Sequence, residues 1–147
     1  MECVIKESLR VYPPVGGMGR ELKKDAELNG HVFPKGTLLV IDTFSMHSNP
    51  AYWKDPLLFE PDRFQGKESS KRNPYCFVPF SAGPRNCLGQ KYAMLEEKVY
   101  LYHILRAFEV NSLQTPDEIV VGTDAITYSM NGINVKFTAR DKVGVTN

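Results

Sequence analysis

Residues 77–89 read Phe-Val-Pro-Phe-Ser-Ala-Gly-Pro-Arg-Asn-Cys-Leu-Gly. Glycine and proline punctuate this stretch as a loop, and an apolar, helix-forming run starts just after it. Cys87 therefore faces a helix N-terminus, and Arg85 stands two residues before it. Both the helix dipole and the cation favour a thiolate over a thiol. A thiolate is a soft, electron-donating metal ligand. Gly83 and Gly89 allow unusual backbone angles and the close approach of a flat partner. Phe80 has the shape to pack beside the sulfur, and backbone N–H groups around Cys87 are placed to hydrogen-bond to it. The bland alternative for any single cysteine is a buried, inert thiol.

Working outward, the chain has 147 residues, a formal net charge of +1 and 42% hydrophobic residues. Those values describe globular material and exclude a disordered or strongly basic, nucleic-acid-binding chain. The length suits one domain. No apolar run of about 18 residues is present, and the start does not read as a signal peptide. Three cysteines, Cys3, Cys76 and Cys87, form an odd set at irregular spacing. That argues against a disulfide framework and for reduced, cytosol-facing chemistry.

Met1 to Val11 is helical from its first residue, without a capping lead-in, so the chain reads as one cut from a longer protein. Val4, Ile5 and Leu9 share one face, with Glu2, Lys6 and Arg10 mostly opposite. Tyr12-Pro13-Pro14 ends the helix. Glu7 and Arg10 lie three apart, the spacing of a surface ion pair worth a few tenths of a kcal/mol.

The loop carries Phe80, Gly83, Arg85, Cys87 and Gly89 at the spacing F-x-x-G-x-R-x-C-x-G. In this it resembles the haem-binding signature of the cytochromes P-450, a family of haem-thiolate monooxygenases. The resemblance makes Cys87 the axial ligand of haem iron. Glu7-Ser8-Leu9-Arg10 resembles the E-x-x-R of that family's K helix, and Pro61-Asp62-Arg63-Phe64 resembles its P-[DE]-R-F segment. By analogy Glu7, Arg10 and Arg63 form a buried charged triad, tolerable only if every charge is paired and hydrogen-bonded. Its role is architectural. Arg20 and Arg85 stand where the family meets the haem propionates, which an arginine fork binds well. For Arg20 a solvated strand residue is the alternative. Val15, Gly16, Gly17, Met18 and Gly19 occupy the segment that lines the family's substrate pocket, and the three glycines suggest extra room. Thr123, Asp124, Ala125 and Ile126 are weaker candidates for the same pocket, from the terminal β element.

Between these landmarks, Asp25 to Phe44 reads as a small antiparallel sheet with turns at Asn29-Gly30 and Pro34-Lys35-Gly36. Ser45 to Trp53 reads as a short helix, followed by a long irregular meander. His47, His31 and His103 have no second ligand at metal spacing and read as structural. Gln90 to Phe108 is the strongest helix pattern, with Ala93, Leu95, Val99, Leu101, Ile104 and Leu105 on a broad apolar face. Period-2 segments on either side of Asn131-Gly132 predict a hairpin, and Arg140 to Asn147 a frayed, polar tail.

The expected fold is mainly α with small antiparallel β-sheets, the C-terminal portion of the cytochrome P-450 fold. It runs from K helix through β-sheet segment, meander, cysteine loop and L helix to a terminal β-hairpin. Residues 1–147 would be part of one domain whose N-terminal two-thirds, including the oxygen-activating helix, lies elsewhere. The wording around His47 to Pro56 and the cysteine loop is most similar to the family 4 branch, which implies hydroxylation of fatty acids or related lipids. The implied cofactor is haem b, with electrons from NADPH through a flavoprotein reductase. Lys67, Lys71, Arg72 and Lys91 are candidate docking cations for that reductase. The implied location is the cytosolic face of the endoplasmic reticulum membrane, through an N-terminal anchor. Two alternatives remain open: a haem-thiolate isomerase or dehydratase on the same fold, and a non-functional, haem-free piece.

Overall fold

The computed structural model describes residues 1–140, with the side chains of residues 67 and 68 left aside. Residues 141–147, read above as a frayed tail, lie outside the described residues. Helix α1 spans Glu2–Val11, and its Tyr12 end is closed by a Tyr12 N–H bond to the Ser8 carbonyl. Strand β1 (Gly17–Glu21) pairs antiparallel with β4 (Leu38–Asp42), and β2 (Ala26–Leu28) with β3 (His31–Phe33). Asn29 and Gly30 both have positive φ, at 50° and 77°, the left-handed pair that a tight turn demands. The region predicted as one sheet is thus two separate ribbons.

Helix α2 covers Thr43–His47, earlier than the Ser45–Trp53 predicted. The reason is its cap: the Asp42 carboxylate accepts the Ser45 N–H at 2.9 Å and the Ser45 hydroxyl at 2.5 Å. Asn49-Pro50 then ends it in turns instead of starting it. After the meander come α3 (Gly66–Lys71) and the cysteine loop, then α4 (Gln90–Ala107). Phe108 leaves that helix and opens β5 (Phe108–Ser112).

The hairpin predicted across Asn131-Gly132 is a correction. β7 (Thr127–Ser129) pairs backward with β6 (Val121–Thr123), and β8 (Val135–Ala139) pairs with β5. A hairpin is therefore present, but it closes around residues 124–126. Asn131-Gly132 instead redirects the chain from one ribbon to the other, with its Asn131 side chain bonded to the Val120 N–H and the Glu118 carbonyl. Arg140 is not frayed: its guanidinium donates to the carbonyls of Leu105 and Phe108, and its N–H to that of Ala107. It satisfies carbonyls at the end of α4 that would otherwise be orphaned.

The core is small and sits between α1, α2 and the meander. Ile5, Leu9, Pro13, Trp53, Cys76 and Val78 are the buried apolar side chains among the described residues, and Glu7, Arg10, Thr43 and His47 are buried with them. α4 contributes no buried residue; Leu95, Val99 and Leu105 of its predicted apolar face are all exposed.

Candidate functional site

Glu7 and Arg10 do not form a surface pair. Their side chains are 0% and 1% exposed, and Arg63 at 6% joins them. Helical spacing sets the first contact: Arg10 Nε and Nη2 reach Glu7 Oε2 and Oε1 at 2.8 and 2.9 Å, one turn along α1. The remaining Arg10 donors go to the carbonyls of His47, Pro56 and Leu58. All five guanidinium N–H groups are thereby used. Glu7 Oε1 also accepts the Glu60 N–H at 2.8 Å and Arg63 Nε at 3.0 Å. Arg63 in turn binds the carbonyls of Lys54, Asp55 and Leu58. Burial pushes the Glu7 carboxyl up, yet the hydrogen bonds and charges of its partners outweigh it and hold the group below the usual carboxylate range.

Three side chains that the sequence reading did not place complete this knot. Trp53, 1% exposed, lies between two guanidiniums, with Arg10 Cζ 5.2 Å and Arg72 Cζ 4.2 Å from its ring centroid. Arg72 also donates to the Arg63 carbonyl, so it is occupied in the fold and is not a free docking cation. His47, fully buried, accepts the Val78 N–H on Nε2 at 2.9 Å. Burial brings its pKa down to about 4; the Leu9 carbonyl opposes this and the Arg10 charge adds to it. A polar aromatic beside an apolar run is the only sequence signal for either ring, and it does not name a partner.

The cysteine loop leaves this knot at Val78. It turns back on itself where the Cys87 N–H donates to the Phe80 carbonyl at 2.8 Å. Cys87 is exposed and unpaired, and no hydrogen bond reaches its sulfur among the described residues. Gly83 has φ +83° with open space where a Cβ would stand; a Cβ on Gly89 would meet only the Cys87 sulfur, at 3.9 Å. Phe80 is half-buried, and Leu88 beside the thiol is wholly exposed. The loop thus presents one bare sulfur on an open, apolar and glycine-cleared surface. Among the described residues no group of three or more His, Cys, Asp or Glu could cage a bare ion. A macrocycle that brings its own equatorial donors and takes one soft axial ligand fits this surface.

Arg20, on β1, reaches the same loop: its Nη2 bonds the Ser81 hydroxyl at 3.0 Å, and its Nη1 the Gly19 carbonyl at 2.8 Å. It borders a concavity of ≈350 Å³ lined also by Met18, Ile41, Ser81, Ala82 and Gly83. Arg85 is exposed, without hydrogen bond or ion pair among the described residues. The two candidate pocket segments also meet. A Cβ on Gly16 would stand 3.8 Å from Thr123 Cγ2, and Thr127 bonds the carbonyls of Pro13 and Pro14. Val15, Gly17 and Gly19 line the exposed side of β1 and its approach. Asp124 accepts the Tyr128 hydroxyl, while Ala125 and Ile126 at the hairpin tip are exposed. Lys71 and Lys91 are exposed, and the side chain of Lys67 lies outside the described residues. His31 and His103 are exposed and remote from any metal-like cluster.

The family profile described as cytochrome P450 matches residues 1–137, and the chain belongs to the cytochrome P450 family. It is 46% identical to rat cytochrome P450 4V2 over 140 residues, which is 95% of this chain and 27% of the relative. Drosophila melanogaster cytochrome P450 4c3 is 38% identical over 96% of this chain and 26% of its own. Mouse cytochrome P450 3A13 is 37% identical over 97% and 28%. The chain spans about a quarter of the length of these relatives.

Proposed function

We propose that residues 1–147 are the C-terminal part of a single haem-thiolate monooxygenase domain, with Cys87 as the axial iron ligand. The observation that carries this is the bare Cys87 sulfur on a loop cleared by Gly83 and Gly89, with a cation beside it. Haem b, when bound, supplies activation of O₂ and insertion of one oxygen atom into an organic substrate, with electrons from NADPH through a reductase. The chain's own residues do the rest. Cys87 gives an electron-rich thiolate, Arg20 and Arg85 offer forks to two propionates, and Phe80 holds the Cys87 backbone through its carbonyl. The knot of Glu7, Arg10 and Arg63 fixes the meander from which the loop springs.

The segment from Val15 to Gly19, against Thr123 to Ile126, forms one wall of the substrate site. The glycines there leave room for a lipophilic chain, and a fatty acid or related lipid is the substrate we assign. No helix among the described residues is long and apolar enough to cross a membrane. Attachment to the cytosolic face of the endoplasmic reticulum would come from a segment before residue 1.

The test is a carbon monoxide difference spectrum of the reduced full-length protein, with Cys87→Ala as control. The expected result is a red-shifted, thiolate-type Soret band that the substitution abolishes. A band that survives Cys87→Ala, or none in the parent, would overturn the assignment.

A further inference from the structure

We propose that His47 is a positioning residue for the cysteine ligand: its buried ring ties the start of the Cys87 loop to the Glu7–Arg10–Arg63 knot. This rests on the haem-thiolate reading above. His47 is the last residue of α2 and is 0% exposed. Its Nε2 accepts the Val78 N–H at 2.9 Å, so in the neutral ring the proton sits on Nδ1. Its own carbonyl accepts Arg10 Nη1 at 3.0 Å. One residue thus receives a bond from the charged knot on its backbone and a bond from the loop on its side chain. Phe77 reinforces the join, with its ring centroid 5.2 Å from the imidazole and 4.8 Å from that of Phe64.

From Val78 the route to sulfur is short. Two residues on, the Phe80 carbonyl takes the Cys87 N–H at 2.8 Å. Arg10, His47, Val78, Phe80 and Cys87 therefore form one line, joined by hydrogen bonds except for the two-residue step from Val78 to Phe80. Val78 is 9% exposed, so water has little access to its N–H if the imidazole is removed. The loop would then have to move to satisfy that donor, because a buried orphan is costly. An apolar ring at position 47 packs equally well on Phe77 but accepts nothing. Ligation by His47 itself is excluded at Nε2, whose lone pair is already engaged by Val78.

Three variants of the full-length haem protein test this. His47→Gln places its amide oxygen about where Nε2 stands; His47→Asn stops at the reach of Nδ1; His47→Phe keeps packing and loses the acceptor. The readout is the ratio of thiolate-type to ligand-displaced Soret band in the reduced carbon monoxide complex, alongside haem content. We expect Phe and Asn to lower that ratio about tenfold or more, and Gln to restore most of it. A merely structural histidine would lower stability without changing the band, or give Gln and Asn the same ratio, and either result overturns the proposal. If Phe yields no folded protein, the Gln–Asn pair decides alone, and failure of Gln to fold or to hold the band also overturns it. A parent protein without a thiolate-type band would instead sink the haem-thiolate reading, and the positioning role with it.

Discussion

The two halves of this chain hold themselves together in different ways. Around α1 and the meander, polar groups are buried: Arg10 alone spends five donors on four residues, while Thr43 Oγ1, His47 Nδ1 and Trp53 Nε1 are buried without a hydrogen-bond partner among the described residues. Around α4 and the β5–β8 and β6–β7 ribbons, apolar side chains stand in the open and buried ones are lacking. The knot is specified by hydrogen-bond geometry, which leaves few alternative arrangements. The outer half is specified by backbone pairing and local capping, which hold shape while leaving a broad apolar face without cover. A charged core is poor as a source of net stability and good at fixing position. Such a division suits a region that must hold one sulfur in place.

The largest effect that would sharpen this contrast concerns the 147 residues alone. With six buried apolar side chains among the described residues, we expect a broad, non-cooperative melt by circular dichroism when haem is absent. A sharp transition would show that the outer half needs nothing beyond this chain. Next comes Glu7→Gln in the full-length haem protein, which strips Arg10 of its counter-charge and leaves Arg63 only the exposed Glu60 carboxylate, 3.3 Å away. A loss of about 3–5 kcal/mol in denaturant unfolding is expected. A loss under about 1 kcal/mol would mean the carbonyl bonds carry the arginines unaided.

Acid should act on the same knot, with a smaller effect. The unfolded chain protonates His47 near its ordinary value of 6.5, whereas the folded one resists until about 4. Folding stability from this group is complete above the ordinary value and is lost as pH falls through that window, by about 3 kcal/mol in all. Glu7, held below the usual carboxylate range by its partners, adds a contribution that begins to be lost as pH falls below its ordinary value of 4.5. Unfolding midpoints that stay level from pH 7 to 4 would remove His47 from the account. The smallest effect belongs to α4. Arg106 donates to the Tyr102 hydroxyl at 3.0 Å on an exposed face, and Arg106→Ala should change stability by less than about 0.5 kcal/mol. A larger change would erase the difference between the halves.

What could be read from sequence divides along similar lines. The cysteine loop and the E-x-x-R and P-D-R-F segments were legible because their residue types sit at fixed local spacings. Of the strand pairings, the turn at Asn29-Gly30 was legible and the C-terminal partners were not. Asn131-Gly132 between two alternating segments is a sound local hairpin signal. It lost because β5, emerging directly from α4, offered β8 a five-residue partner, and β6 was already beside β7. Helix α2 was misplaced because an N-cap aspartate outweighed the proline that the reading leaned on. Arg72 read as a surface cation because nothing local announces that a guanidinium will lie on Trp53, nineteen residues earlier. His47 was legible as structural, while its partner Val78, 31 residues away, was not.

Thr127 donates from its hydroxyl to the Pro13 carbonyl, 114 residues away. A ribosome adding about 5–20 residues per second needs roughly 6–23 s between those two residues. Arg10, by contrast, meets the last of its acceptors, Leu58, 48 residues later. During synthesis the knot can close while the end of α1 still faces water at two proline carbonyls. The terminal hairpin is then the final latch, and a nascent chain stalled before Thr127 would carry a formed knot with an open door beside it.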